Sequence, residues 1–233
     1  MSRKNMTTGN SKLDLLLSLP QHEQRSPEWF EQRSTKLTSS DAATALNDNP
    51  YQTSTELLFR KCGHDPKPFV GNVATLHGQR YEDYAIEKYC RAFGKTNYNF
   101  GLIPYNYVHS DTYINGINCD FLAGSPDGIV LDMGSVLKEP ILLEVKCPFR
   151  RKIVYGKIPK YYYPQIQLNL LICGLRIADF IEYKPKTKDY KEEINVVRVF
   201  LDWDYIKIIL PKLRYFWDDV LLWKKTGIQN HPK

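Results

Sequence analysis

Apolar positions recur at changing intervals along this chain, and the changes mark out a helical opening, a strand-rich middle and a mixed close. Residues 1 to 10 are mainly polar and read as a frayed end, while Leu13 to Leu19 has the spacing of a short amphipathic turn that packs against the body. Residues 1–24 are therefore expected to be an N-terminal arm, flexible at its start, and 25–233 a single domain. Trp29-Phe30-Glu31-Gln32-Arg33 predicts a short helix. Thr38-Ser39-Ser40-Asp41 supplies N-cap residues for a second over Ala42 to Leu46, which Asn47-Asp48-Asn49-Pro50 ends. Ser54 and Thr55 are set to cap a third that runs through Arg60. Asn72 opens the longest predicted helix, which closes before Gly94, carries Val73, Leu76, Tyr84 and Ile86 among its apolar positions and has Glu82 midway.

From Thr96 to Val145 the pattern changes to short apolar and aromatic runs broken by Gly, Asn, Asp and Pro. That predicts an antiparallel set of strands, with Ile141-Leu142-Leu143-Glu144-Val145 as a central one. Pro164 to Cys173 reads as a helix with proline in its first turn, Ala178 to Tyr183 and Ile194 to Leu201 as two strands. A last helix starts near Trp203 with a kink expected at Pro211. Its Trp203, Phe216, Trp217 and Trp223 are expected in the core, any exposed part being free for an oligomer contact. The order predicts an α/β fold of the α+β mixed kind, a central mixed sheet flanked by helices.

With 233 residues, 42% of them hydrophobic and 13% aromatic, there is material for one substantial core. Lys and Arg outnumber Asp and Glu by 32 to 26, and the formal net charge of +6 suits a polyanionic partner or simply a solvated basic surface. Cys62, Cys90, Cys119, Cys147 and Cys173 are scattered and never spaced Cys-x-x-Cys. This argues against a disulfide framework, a zinc knuckle or an iron–sulfur site, and for reduced thiols in an intracellular protein. No apolar run reaches about 18 residues, and Met1-Ser2-Arg3-Lys4-Asn5 leads into polar residues, so a soluble, unsecreted protein without a membrane partner is expected. The absence of a Gly-x-x-x-x-Gly-Lys-Ser/Thr loop disfavours a nucleotide-driven motor.

Chemistry concentrates in Gly124-Ser125-Pro126-Asp127-Gly128 and Leu143-Glu144-Val145-Lys146-Cys147-Pro148. On a strand, residues i and i+2 share a face, so Glu144 and Lys146 point together while Val145 points away, and Asp127 comes from a neighbouring strand or turn. Two carboxylates with a main-chain carbonyl such as that of Val145 make a hard oxygen set for Mg²⁺ or Mn²⁺, which can stabilise a pentavalent phosphate. Lys146 is suited to hold the attacking water; an ammonium of pKa ~10.4 needs a strongly altered environment to act as the base. Alone, Glu144 and Lys146 also describe a surface ion pair on an edge strand, and Pro-Asp-Gly a plain turn. The apolar run ahead of Glu144 argues for burial, where a charge is costly unless paired or metal-bound.

These two blocks stand in order with Trp29 to Arg33 and Ser40-Asp41, with His77-Gly78-Gln79-Arg80-Tyr81-Glu82, with Phe149 after Pro148, and with Gln165-Ile166-Gln167. The ordered set, over roughly residues 25 to 175, resembles the phage lambda-type exonucleases and YqaJ-like viral recombinases among the PD-(D/E)XK nucleases. The resemblance implies a restriction-endonuclease-like core. It makes Asp127 and Glu144 metal ligands joined by the Val145 carbonyl, sets Lys146 on the nucleophilic water, and brings Glu82 to a second metal or its waters. Two Mg²⁺ or Mn²⁺ ions about 4 Å apart would then serve phosphodiester hydrolysis. Gln165 takes the place of the family's active-site glutamine, orienting Lys146 or the water. Arg33 and Ser40, with Ser125, match positions that bind a terminal 5′-phosphate, where a guanidinium fork and hydroxyls suit a dianion and fix digestion from an end. Plainer alternatives stand beside these: Glu82 as an exposed helix residue, Gln165 as a polar residue at a helix start, Arg33 as a surface arginine, Ser40 as a cap.

Arg150, Arg151, Lys152, Lys157 and Lys160 form a basic run interleaved with Tyr155 and ending in Tyr161-Tyr162-Tyr163. It is expected beside the metal, tracking a DNA backbone, or else as a solvated loop whose tyrosines pack inward. The expected activity is a metal-dependent deoxyribonuclease, a 5′-to-3′ exonuclease on duplex DNA ends that leaves 3′ single strands for recombination or repair. A single-strand annealing protein and further copies of the chain are candidate partners. An endonuclease on DNA or RNA and a catalytically silent DNA-binding protein are the alternatives. A viral origin would put the protein in the cytoplasm or nucleus of a host cell.

Overall fold

The computed structural model describes residues 8–64, 71–132 and 138–231; residues 1–7 of the expected frayed end lie outside them. Helix α1 (Ser11–Ser18) starts at Asn10, whose side chain accepts the Leu13 N–H at 2.9 Å, and buries Leu13 and Leu16 in the main core. The later part of the arm is thus docked. Helix α2 (Pro27–Ser34) follows a Ser26 cap, and β1 (Leu37–Thr38) leads through a 3₁₀ turn at Ser39–Asp41 into α3 (Ala42–Ala45). Helix α4 (Ser54–Lys61) is capped by Thr53, not by Ser54 or Thr55. The reason is a capping box: Thr53 N–H donates to the Glu56 carboxylate at 2.9 Å and Glu56 N–H to the Thr53 hydroxyl at 3.2 Å, and only Thr53 has Glu three residues on.

Helix α5 (Val73–Phe93) opens at Asn72 and closes at Gly94, whose φ of 60° suits glycine. It buries Ala85, Ile86 and Tyr89, while Val73, Leu76 and Tyr84 stand exposed, because a helix laid on a sheet has only one stripe covered. The middle of the chain holds β2 (Lys95–Tyr98), β3 (Ile103–Pro104), α6 (Tyr105–Val108), β4 (Tyr113–Ile114), β5 (Ile117–Asn118), β6 (Leu122–Gly124), β7 (Gly128–Asp132) and β8 (Ile141–Lys146). A second 3₁₀ turn (Lys160–Tyr162) opens α7 (Tyr163–Cys173), and β9 (Ile177–Lys184), β10 (Glu193–Phe200) and α8 (Trp203–Thr226) follow. At 24 residues α8 exceeds the 21 of α5, so α5 is not the longest helix, and α8 stays helical through Pro211.

The main sheet runs β10-β9-β8-β7-β2 with β8 in the centre. Pairing from β2 to β8 is antiparallel as expected, whereas β8 and β9 pair in parallel through the α7 crossover. A smaller sheet, β1-β6-β3, pairs β1 in parallel with β6. Strand alternation sends Leu142, Ala178 and Phe180 into the core around α7, and Ile141, Leu143, Val145, Ile181 and Tyr183 against α5. Helix α7 lies between layers and is buried from Ile166 to Cys173. Phe216 and Trp217 of α8 are buried, but Trp203, expected in the core, is half exposed at the helix's first residue, ahead of the buried stripe that begins at Ile206. All five cysteines are free thiols. Among the described residues no helix is long and apolar enough to cross a membrane.

Candidate active site

Glu144 sits on the central strand with none of its surface exposed, which removes the edge-strand surface pair as a description of it. Its carboxylate is held from two sides. Lys146 donates to Oε1, and Asn169 of α7 donates through Nδ2 to Oε2 at 3.1 Å. Asp127, in the turn before β7, accepts the Val145 N–H at 2.6 Å and so meets β8 between its two charged residues. Burial pushes the Glu144 carboxyl up to about 8; Lys146 pulls it back, and the charges of Asp127 and Glu82 push further. Asp127 is raised by burial too, against Lys146 and the Val145 N–H. Burial works against the Lys146 charge, yet Glu144 and Asp127 hold the ammonium well above its usual range. Lys146 therefore remains a cation here, 5.2 Å from the centre of the Tyr162 ring.

Glu82 reaches the same group from α5. Burial and the Asp127 charge push it up to about 7, opposed by Lys146 and by Arg25, whose guanidinium lies 3.9 Å away. Among the described residues no three His, Cys, Asp or Glu side chains close round one point as a finished metal cage. Both Glu144 oxygens are engaged, one by the Lys146 ammonium and the other by the Asn169 amide. The donor chemistry nevertheless fits a hard divalent cation: Asp127, Glu144 and Glu82 offer carboxylate oxygens, with the Asp127 charge raising both glutamates. Asn169 Oδ1, buried beside Glu144, has no hydrogen-bond partner.

Gln165 lies half-buried in the first turn of α7, and its side chain makes no hydrogen bond among the described residues. Arg33 and Ser40 come together: one guanidinium nitrogen donates to the Ser40 hydroxyl at 2.8 Å and to the Thr38 hydroxyl at 3.2 Å, with the guanidinium 4.4 Å from the centre of the Trp29 ring system. Beneath them Asp41 is buried and pairs with Lys61 at 2.8 Å and Arg60 at 2.9 Å. Burial alone would raise the Asp41 carboxyl, but Lys61, Arg33 and Arg60 hold it well below the usual range. Three cations on one carboxylate leave this corner net positive, and the Ser39–Asp41 turn packs on β6 and α7. Ser125 does not share these bonds; its hydroxyl donates to the Gly101 carbonyl at 3.1 Å. In the basic run, Arg150, Lys152, Lys157 and Lys160 are exposed, whereas Arg151 is paired with the buried Glu182. Sequence reasoning missed Asn169, Arg25, Thr38, Arg60 and Lys61. Only Asn169 had a readable signal, as a polar residue inside a mainly apolar helix.

A buried carboxylate–lysine pair on the central strand of a mixed sheet, joined by acids from a turn and a flanking helix, defines a protein of the PD-(D/E)XK nuclease fold. More particularly, the chain belongs to the family of the YqaJ-like viral recombinase domain, whose family model matches residues 28–176. It is 31% identical over 194 residues to an uncharacterized protein of Acanthamoeba polyphaga mimivirus, an alignment covering 79% of this chain and 33% of that protein. It is 26% identical over 174 residues to a protein of African swine fever virus, covering 64% of this chain and 46% of that one. The chain thus spans between a third and about half the length of these relatives. Its fold is similar to that of an alkaline exonuclease from Laribacter hongkongensis, with a TM-score of 0.63 at 24% identity over 88% of this chain and 97% of that one. The same enzyme in complex with dAMP gives 0.64 at 23% identity over 86% and 95%.

Proposed function

We propose that this chain is a divalent-metal-dependent deoxyribonuclease, acting as a 5′-to-3′ exonuclease on duplex DNA ends and leaving 3′ single strands for recombination or repair. The observation that carries the reading is the buried Glu144–Lys146 pair with Asp127 and Glu82 in electrostatic contact, in a chain of the viral recombinase family. The Laribacter enzyme of similar fold, described as an alkaline exonuclease and crystallised with dAMP, supports a nucleotide-cleaving site.

Asp127, Glu144 and the Val145 carbonyl would hold Mg²⁺ or Mn²⁺, with Glu82 directed to a second ion. A bound cation of this kind supplies a Lewis acid for the phosphoryl oxygen and a water of lowered pKa. Lys146, kept as an ammonium by its acidic neighbours, leaves Glu144 when the charge there is matched and donates to the attacking water, orienting it and offsetting charge on the phosphorane. Gln165, uncommitted to other bonds, orients the same water through its amide. Arg33 and Ser40 exchange their mutual hydrogen bond for a terminal 5′-phosphate, a dianion that accepts from both; Thr38 joins only by leaving the Asp41 carboxylate, to which its hydroxyl donates at 2.7 Å, and Ser125 only by leaving the Gly101 carbonyl. Arg150, Lys152, Lys157 and Lys160 neutralise backbone phosphates along the bound strand.

The test is incubation with Mg²⁺, Mn²⁺ or EDTA on linear duplex DNA with 5′-phosphate or 5′-hydroxyl ends, on closed circles and on single-stranded RNA, with strand-specific end labels. Metal-dependent loss of 5′-phosphorylated strands with intact circles is expected. Cut circles or RNA would replace the exonuclease by an endonuclease, and binding without cleavage by a silent DNA-binding protein.

A further inference from the structure

The parallel register sets Glu182 of β9 beside Lys146 of β8, and the antiparallel register sets Asn195 of β10 beside Glu182. Lys146, Glu182 and Asn195 thus form one row across three strands. Glu182 has no exposed surface and Asn195 is 4% exposed, an uncommon place for a charge and an amide.

One oxygen of each residue is bonded to the segment that leaves β8, and their remaining polar atoms bond to each other. Arg151 donates to Glu182 Oε1, and Asn195 Nδ2 donates to Glu182 Oε2 at 3.2 Å. Asn195 Oδ1 accepts the Gly156 N–H at 3.1 Å, where the chain turns through φ 69°. Ile153, buried between these attachments, is a third anchor. What remains free is the outer side of the loop: Arg150, Lys152, Val154, Tyr155 and Lys157 are exposed. The Arg151 guanidinium also lies 5.9 Å from the centre of the Tyr162 ring, and the same ring lies 5.2 Å from Lys146 Nζ. The attachments therefore end against the site.

A buried ion pair is weak evidence of stabilisation, since an apolar pair of similar volume usually serves as well, while a fixed hydrogen-bond geometry gives positional definition. We infer that Glu182 and Asn195 are positioning residues for the substrate: together with Arg151 they form a strut that holds the basic loop in one register over the site, so that its exposed cations meet the phosphates of the bound strand. Arg151 then acts inward, on the protein, and not on the nucleic acid. This rests on the proposed nuclease reading and adds to it how the loop is aligned.

The test compares the full chain with Glu182→Gln and with Asn195→Ala. The second variant keeps the Arg151–Glu182 ion pair and releases the Gly156 N–H together with Glu182 Oε2, so it serves if the first fails to fold. Hydrogen exchange of residues 149–158 reads the strut directly, fluorescence anisotropy of a short duplex in EDTA reads affinity without cleavage, and steady-state kinetics in Mg²⁺ separate KM from kcat. Faster exchange confined to the loop is expected, with duplex affinity about tenfold weaker and KM raised about tenfold while kcat changes less than about twofold, the size of losing one hydrogen bond to a charged group. Unchanged loop exchange overturns the strut. Faster exchange with unchanged affinity and KM overturns the substrate-positioning role and leaves a structural ion pair. A wild-type chain that binds no duplex at all refutes the nuclease reading itself, which the variants alone would not do.

Discussion

A carboxyl with no exposed surface depends on its hydrogen-bond donors, and two side chains donate to Glu144, Lys146 and Asn169. Removing the first leaves an unpaired buried acid and no donor for the water. Lys146→Ala is expected to lower kcat at least about a hundredfold with an unchanged circular dichroism spectrum; a variant that cleaves like the parent would end the assigned role. Asn169 acts through Glu144, so Asn169→Ala is expected to weaken Mg²⁺ binding by about tenfold, read by titration calorimetry. Gly124→Ala offers an independent check, because a Cβ there would stand 2.7 Å from Asn169 Oδ1 and drive the amide away. If metal affinity is indifferent to both, Asn169 has no part in the site. Strand alternation made Glu144 and Lys146 legible as a pair in the sequence, and Pro-Asp-Gly drew attention to Asp127. The Asn169 contact was not marked, although Gln167 and Asn169 are polar positions in a helix that is buried without a break from Ile166 to Cys173. Arg25 had no signal at all: it sits in a loop with φ 70°, and a loop carries no period from which a partner such as Glu82 can be inferred.

At the scale of elements, β8, the basic loop and α7 behave as one unit, since the loop is fixed at Arg151, Ile153 and Gly156 and returns through Lys160–Tyr162 into the helix that touches Glu144. The run of cations was plain in the sequence, but which of them faces water was not. Burial of Glu182 one strand away decides it, and a non-local partner leaves no trace in the loop itself. The consequence is quantitative. The double charge reversal Lys152→Glu with Lys157→Glu is expected to weaken duplex binding and to flatten the slope of log affinity against log salt by about 0.9 for each phosphate that is no longer neutralised. A salt slope equal to that of the parent, with folding intact, would show that the loop does not track the backbone. Helix α5 was recognised by its caps, yet its apolar Val73 and Leu76 lie outside the covered stripe, and the parallel pairing of β8 with β9 follows from the α7 crossover and not from either strand alone.

For the molecule as a whole, the acids that α5, the β7 turn and β8 bring together oppose the fold until something offsets their charge. Burial pushes Glu144 up to about 8 and Glu82 up to about 7, both from a starting value of 4.5. Between these limits the folded chain holds protons that the unfolded chain has released. Unfolding then releases protons, so the metal-free protein should lose stability as pH rises from about 4.5 towards 8, the reverse of a salt-bridged carboxylate whose pKa is depressed. A cation that binds only the folded, deprotonated site reverses the trend, because protons compete with it at low pH and withdraw at high pH. At a hundredfold excess over Kd such binding contributes ~2.7 kcal/mol, and in a chain of this size each kcal/mol moves Tm by about 2–4 °C. Mg²⁺ is therefore expected to raise Tm by roughly 5–10 °C at pH 8.5 and by much less at pH 6, and Glu144→Gln to flatten both the metal-free decline and the metal-dependent gain. Differential scanning calorimetry across that range decides the matter. A Mg²⁺ shift that is independent of pH, or undiminished in Glu144→Gln, would locate the cation away from these carboxylates and remove the metal from the proposed chemistry.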